Sequence, residues 1–356
     1  MTRFFYALCA VLLFPTLAMG ANSSALNLAA VDHYIIPGYQ ALADSTVKLE
    51  SRTHSFCTSG SEVEFTALRE AFHHAMDDWQ YVQLIRFGPI EILLRGNRYQ
   101  MWPDKRGTVG KHLRQLLKAK DSDKLASDQF ERASIAIQGF SAMERLLFGN
   151  DSNPEQFVTA GRATYDCQVL QAIAHNLATM SRELVAEWSQ GDNAHRVFIA
   201  SAADGNDYYE AADEVSSRLL NNLHTALQLI AEQKLERPLG DAIQKARGQR
   251  AESWRSRRSL RNIRLNLQAA EKLYQLAFAP RLQDTPLQQQ IAAAFSTSRQ
   301  QIDAIKTSLY AAVNDETARQ QVESLQSSAA KLKALLAGPL PDAIGIPLGF
   351  NSLDGD

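Results

Sequence analysis

Residues 287–313 read LQQQIAAAFSTSRQQIDAIKTSLYAAV, and residues 318–336 read ARQQVESLQSSAAKLKALL. In the first stretch Leu287, Ile291, Phe295, Ile302, Ile305, Leu309 and Val313 are separated by three, four or seven positions. In the second, Ala318, Val322, Leu325, Ala329, Leu332 and Leu336 alternate steps of four and three. Such spacing gathers apolar side chains on one stripe of an α-helix, which neighbouring helices must then cover. The segments at 61–87, 121–148, 155–190, 209–235 and 257–279 carry the same rhythm, and few stretches alternate as strands do. The sequence predicts an all-α protein.

Helix-breaking residues punctuate the pattern at Gly88-Pro89, Trp102-Pro103-Asp104, Gly149 to Pro154, Arg237 to Gly240 and Pro280 to Pro286. The chain is longer than one helical bundle usually holds, which predicts two helical-bundle domains. Periodicity is lost between Ser201 and Asp207, so the expected domains are 21–203 and 204–356.

The first twenty residues have a different expected fate. Met1-Thr2-Arg3 precedes an uncharged run from Phe4 to Gly20 that ends in small residues, the pattern of a secretory signal peptide cleaved after Gly20. The run is short and interrupted by Pro15, which argues against a membrane span. Nothing later has membrane length, so the mature chain is expected to be exported and to lack a transmembrane segment. Removing the leader takes away one arginine and no acid, shifting the formal charge from −2 to −3 and arguing against a nucleic-acid partner. Cys57 and Cys167 then remain. Export permits a disulfide between them, and two buried thiols fit the sequence equally well.

At the other end Ile344, Ile346, Leu348 and Phe350 alternate with Gly345, Pro347 and Gly349, a period-two pattern suited to an extended tail docked on an apolar surface. Docking would bring Asn351, Asp354 and Asp356 to a fixed place.

Candidate chemistry concentrates on Ser134–Gly149. Projected at about 100° per residue, Ser134, Gln138, Ser141 and Arg145 form a polar row, while Glu144 falls among Ile137, Phe140, Leu147 and Phe148. A carboxylate in that company needs a cation, a metal or its own proton. Arg86, on the apolar side of its helix with Phe72 and Trp79, is the expected partner in a buried pair. A second group, Glu70, His73, His74, Asp77 and Asp78, has the Glu-x-x-His spacing that bundles use for metals. Its projection opposite Phe65, Phe72, Met76 and Trp79 reads instead as a solvated face. His-Glu-x-x-His, Gly-x-Ser-x-Gly and phosphate-binding glycine loops are all missing.

The run Gly139-Phe140-Ser141-Ala142-Met143-Glu144-Arg145-Leu146-Leu147-Phe148-Gly149 resembles the Gly-x-His-x-x-Glu signature of the imelysin-like family. Trp79, Arg86-x-Gly88-Pro89, Trp102-Pro103-Asp104, Glu252-Ser253, Ser259-Leu260 and the closing Gly349–Asp356 extend the resemblance over nearly the whole mature chain. It implies a pocket at a domain junction, lined by the signature helix and the chain end. It also implies a periplasmic or envelope location and a link to iron uptake, because that family includes an insulin-cleaving membrane protease and periplasmic components of iron-uptake systems. Where the family carries its histidine, this chain has Ser141, whose hydroxyl is a poor metal ligand beside an imidazole.

The sequence reading is therefore an exported binding or accessory protein linked to iron acquisition, with envelope iron-uptake proteins as candidate partners. Its expected pocket comprises Arg86, Ser141, Glu144, Asn351, Asp354 and Asp356, supported by Trp79 and Gly139. Iron or another divalent metal would fall to Glu144 and Asp354. The alternatives are a metallopeptidase of the imelysin type and a helical interaction module without metal.

Overall fold

A computed structural model describes residues 16–282 and 285–349, with side chains from Ser23 onward. Helix α1 (Thr16–Ala30) runs through a π-helical turn, Val31–Ile35, into α2 (Ile36–Ser59). Gly60 ends α2 in the left-handed region at φ 64°, and Ser61 caps α3 (Glu62–Val82) by accepting the Glu64 amide. The later long elements are α4 (Thr108–Ala119), α5 (Phe140–Phe148), α6 (Tyr165–Ser189), α7 (Ala212–Gln228), α8 (Ser259–Ala277), α9 (Pro286–Ala304) and α10 (Glu316–Ala337). The strands among the described residues are one antiparallel ribbon, Val158–Thr159 against Arg162–Ala163. The all-α expectation holds.

Helix α2 packs against α3 and α6, and α9 packs against α10. Contacts between α3 and α8 join these groups, while α1 lies against α7 and α8. The first helix of the chain therefore stands among helices of its second half. One contiguous apolar core fills the interior, from Val31 and Tyr34 through Phe140 and Leu223 to Leu336. Cys57 and Cys167 are joined as a disulfide that ties α2 to α6.

Three long helical readings are shortened, the first being 155–190, where the turn Pro154–Phe157 and the ribbon precede α6 at Tyr165. The stretch 121–148 is not one helix: single turns occupy Ser122–Leu125, Ser127–Phe130 and Ile135–Ile137 before α5 begins. The break lies at Gly139, whose extended backbone passes so close to another segment that a Cβ would sit 2.1 Å from the Arg98 carbonyl oxygen. Ser134 and Gln138 therefore leave the polar row projected for them. Likewise α9 stops at Ala304, and Ser308 caps a separate turn, Leu309–Ala312.

The extended tail is shorter than its alternation suggested, since Ile344 ends a short helix, Pro339–Ile344, but it is docked as far as it is described. Ile344 and Ile346 are buried, the Ser217 hydroxyl donates to the Pro347 carbonyl at 3.1 Å, and the Gly349 amide donates to Asn221 Oδ1 at 2.8 Å. Asn351, Asp354 and Asp356 lie outside the described residues.

Candidate functional site

Helix α5 starts where Gly139 permits the close backbone approach, and it buries Phe140, Ala142, Met143, Leu146 and Leu147. The remaining side presents Ser141, Glu144 and Arg145 to a cavity of about 300 Å³. Met101–Lys105 and Val109 supply a second wall; Arg237 and the segment from Gln249 to Arg255 supply the third. The cavity thus forms between parts of the chain that are far apart in sequence.

Both carboxylates of the cavity are already engaged. Glu144 Oε1 accepts the Ser256 amide at 2.9 Å and the Ser256 hydroxyl at 2.6 Å. Burial raises the Glu144 pKa, and those two hydrogen bonds oppose the rise. Asp104 accepts the amides of Thr108 at 2.7 Å and Val109 at 3.1 Å, serving the start of α4. Ser141 donates to the Met101 carbonyl at 3.1 Å, so its hydroxyl fastens α5 to the second wall.

The cationic side chains are engaged far less. Among the described residues, Arg145, Arg237, Arg250 and Arg255 have no ion pair and no side-chain hydrogen bond. Arg255 lies over the Trp254 ring at 4.2 Å, and that ring stacks on Tyr310 at 5.4 Å. Burial and then the neighbouring Arg145 lower the Arg255 pKa; burial and then Arg250 do the same for Arg237. Glu144 and Asp104 pull the Arg255 pKa the other way, but four guanidinium groups and Lys105 outnumber these two carboxylates around one hollow, and that excess of positive charge suits an anion.

Immediately behind Trp102 and Ser253 lies a buried polar network. Lys234 Nζ donates to Glu252 Oε2 at 2.8 Å, Asn266 Oδ1 at 2.6 Å and Gln80 Oε1 at 3.1 Å, using its three protons. Glu252 also accepts from Asn262 at 2.9 Å, and Gln80 donates to Gln100 at 2.9 Å. Trp79 donates to the same Gln100 oxygen at 2.8 Å and stacks on Tyr99 at 4.6 Å. These bonds join α3, α8 and the π-helical stretch Leu229–Glu236.

The expected Arg86 to Glu144 pair is not formed, because Ser256 holds the carboxylate. Arg86 does not line the cavity. Its backbone amide donates to Asn222 Oδ1. The side chain is exposed, and the surrounding protein lowers its pKa by desolvation. Asn222 is on α7, next to the Asn221 that anchors the tail. The structure thus brings Ser141 and Glu144 together, and separately places Arg86 near the stem of the tail.

The second sequence candidate also changes character. Asp77 is paired with Arg258 at 2.5 Å and with Arg261, while Arg258 donates to His73 Nδ1 at 3.0 Å. Burial first, then the arginines, push the His73 pKa down to about 4. Glu70 and His74 are exposed, as a solvated face requires, whereas Asp77 and His73 hold α3 to the start of α8. A guanidinium where a cation would sit makes this a poor metal site.

The structure has the fold of solved imelysin-like proteins. It aligns with one from Psychrobacter arcticum at a TM-score of 0.76 and 19% identity, covering 93% of this chain and 98% of that one. A putative iron-regulated protein A precursor from Parabacteroides distasonis aligns at 0.72 and 14%, covering 91% and 95%. A profile of the imelysin family matches residues 35–336. The chain belongs to the imelysin family. Iron-regulated protein A of Synechococcus elongatus is 24% identical over 276 residues, which are 77% of this chain and 70% of that protein.

Whether this imelysin-family site could hold the metal expected from the sequence is a question of donors. Among the described residues no three His, Cys, Asp or Glu side chains converge on one point. Ser141 offers only a hydroxyl that donates to the Met101 carbonyl, Glu144 is hydrogen-bonded, and the surrounding arginines repel cations. The described donors do not fit a bare transition-metal ion.

Sequence reasoning missed the opposing wall. From Lys245 to Arg261 seven lysines or arginines stand against one acid, Glu252, a local bias hidden by the near-neutral whole-chain charge. That bias was the available signal for an anion site.

Proposed function

We propose that this imelysin-family protein is an exported binding protein of the cell envelope, linked to iron acquisition, whose cavity takes an anionic ligand. One observation carries the reading: Arg145, Arg237, Arg250, Arg255 and Lys105 line the cavity against only two carboxylates, Asp104 and Glu144, and none of the four arginines is ion-paired with a described residue. The link to iron rests on the names of the relatives from Synechococcus elongatus and Parabacteroides distasonis. Iron would then arrive as an anionic carboxylate chelate rather than as a bare ion. Glu144, hydrogen-bonded at the back of the cavity, would fix the position of Ser256 and hence of the arginine-bearing segment.

Export is supported by the leader pattern, by the word precursor in the Parabacteroides protein's description, and by the Cys57–Cys167 disulfide, which suits an oxidising compartment.

Isothermal titration of the mature protein with phosphate, citrate and ferric citrate tests the anion reading. Binding should weaken with added salt and fall at least about tenfold, the worth of one charge-assisted contact, in Arg255→Ala or Arg145→Ala. Tight binding of free Fe³⁺ or Zn²⁺ with no response to any anion would overturn it. The amino terminus of the envelope-purified protein should be Ala21; an intact Met1 would refute cleavage.

A further inference from the structure

We infer that the ligand is an elongated anion, with charged groups at two positions separated by an apolar spacer, lying across two joined hollows. The inference deepens the anionic-ligand reading and rests on it. Beside the first cavity is a second, of about 540 Å³, and the two share Arg145, Trp254 and Arg255 as a common wall. The second hollow has a different character: Leu113 and Leu146 are buried in its floor and Leu117 is half-buried there. It adds one further cation, Arg114, which has no ion pair with a described residue. Asp151, the one acid lining that hollow, does not pair with it.

The backbone makes room for this arrangement at Gly110. A Cβ there would lie 2.9 Å from Arg145 Nη1 and 3.3 Å from Arg114 Nη1, so both guanidinium groups crowd over the bare glycine. Two like charges brought this close to one point repel unless an anion lies between or beside them. The charges therefore fall in sequence: Arg237 and Arg250 in the first hollow, Arg145 and Arg255 on the shared wall, Arg114 in the second.

A compact anion such as phosphate could meet Arg237 and Arg250, or Arg145 together with Arg114, but not both groups, and it would leave the leucine floor uncovered. A molecule with a carboxylate at each end and a short hydrocarbon between them would meet both ends, with its methylene groups on Leu113, Leu117 and Leu146. Terminal dicarboxylates, and larger polycarboxylates built on them, belong to this class.

The test compares monoanions and dianions of equal length on the full mature protein: hexanoate against adipate, and octanoate against suberate, with phosphate as the compact reference. One dianion of the series should bind at least about tenfold tighter than its monoanion. In Arg114→Ala that ratio should collapse toward one, while Arg237→Ala should weaken monoanion and dianion alike. Thermal melting in the absence of ligand checks that each variant is folded. Equal affinity for monoanion and dianion, or a ratio unmoved by Arg114→Ala, would overturn the elongated ligand and leave the anion site standing. Failure of every anion, phosphate included, to bind would remove both readings.

Discussion

Replacing Lys234 by methionine removes the positive member of an ion pair whose side chains are only 4% and 3% exposed, and strands Glu252 inside the protein. Three hydrogen bonds from the ammonium disappear with it. Breaking one side of a buried pair costs about 3–5 kcal/mol, because the surviving charge keeps its desolvation penalty without compensation. Asn262 and Gln80 still donate to Glu252, so the loss should fall toward the lower half of that range. Burial lowers the Lys234 pKa despite the opposing pull of Glu252, so desolvation outweighs pairing here. Removing both charges should accordingly be the milder change. Lys234→Met with Glu252→Gln should cost only about 1–2 kcal/mol, the worth of the hydrogen bonds not replaced. Urea unfolding followed by circular dichroism would read both variants as shifts in midpoint at constant slope. A single substitution costing less than about 1 kcal/mol, or a double variant worse than the single one, would refute the account of this network.

Gly139→Ala should prevent accumulation of folded protein, since its Cβ would lie 2.1 Å and 2.3 Å from two backbone carbonyl oxygens; a normal melting curve for this variant would count against the packing described. Reducing Cys57–Cys167, which closes a loop of 110 residues, should lower stability by about 4–5 kcal/mol on the loop-entropy account, measured by unfolding with and without reductant. Glu144 has a raised folded-state pKa, so its contribution favours folding at pH below its unfolded value and is lost as pH rises through the folded value. Glu144→Gln, which keeps an acceptor for Ser256, should therefore raise the melting temperature at neutral pH, with the gain vanishing near pH 4. A gain independent of pH would refute the assignment.

The helices were legible because amphipathic spacing is local: Ala318 to Leu336 maps onto the buried face of α10, with Val322, Leu325, Ala329, Leu332 and Leu336 all enclosed. The break at Gly139 was not, since the reason for it is the carbonyl oxygen of Arg98, some forty residues away in sequence. Glu144 was correctly seen to need a partner, but the hydrophobic pattern that buried it could not choose between Arg86 and Ser256. Arg258 shows the same limit. In sequence it is one of a run of exposed-looking arginines, yet it is 2% exposed and clasped by His73 and Asp77. Charge clustering shows that cations gather; it does not show which of them find acids.

The π-helical stretch Leu229–Glu236 carries Lys234 into the core and hands Arg237 to the cavity at its end. A stretch of this kind commonly holds one residue more than a regular α-helix would use. Deleting a single residue between 229 and 233 would let the stretch relax to a regular α-helix, absorbing the loss with Lys234 still directed at Gln80 and Asn266 and Arg237 at the hollow. In a regular helix the same deletion turns everything downstream by about 100°. The stretch thus works as a register buffer, where an indel of one codon leaves interior and ligand site coupled.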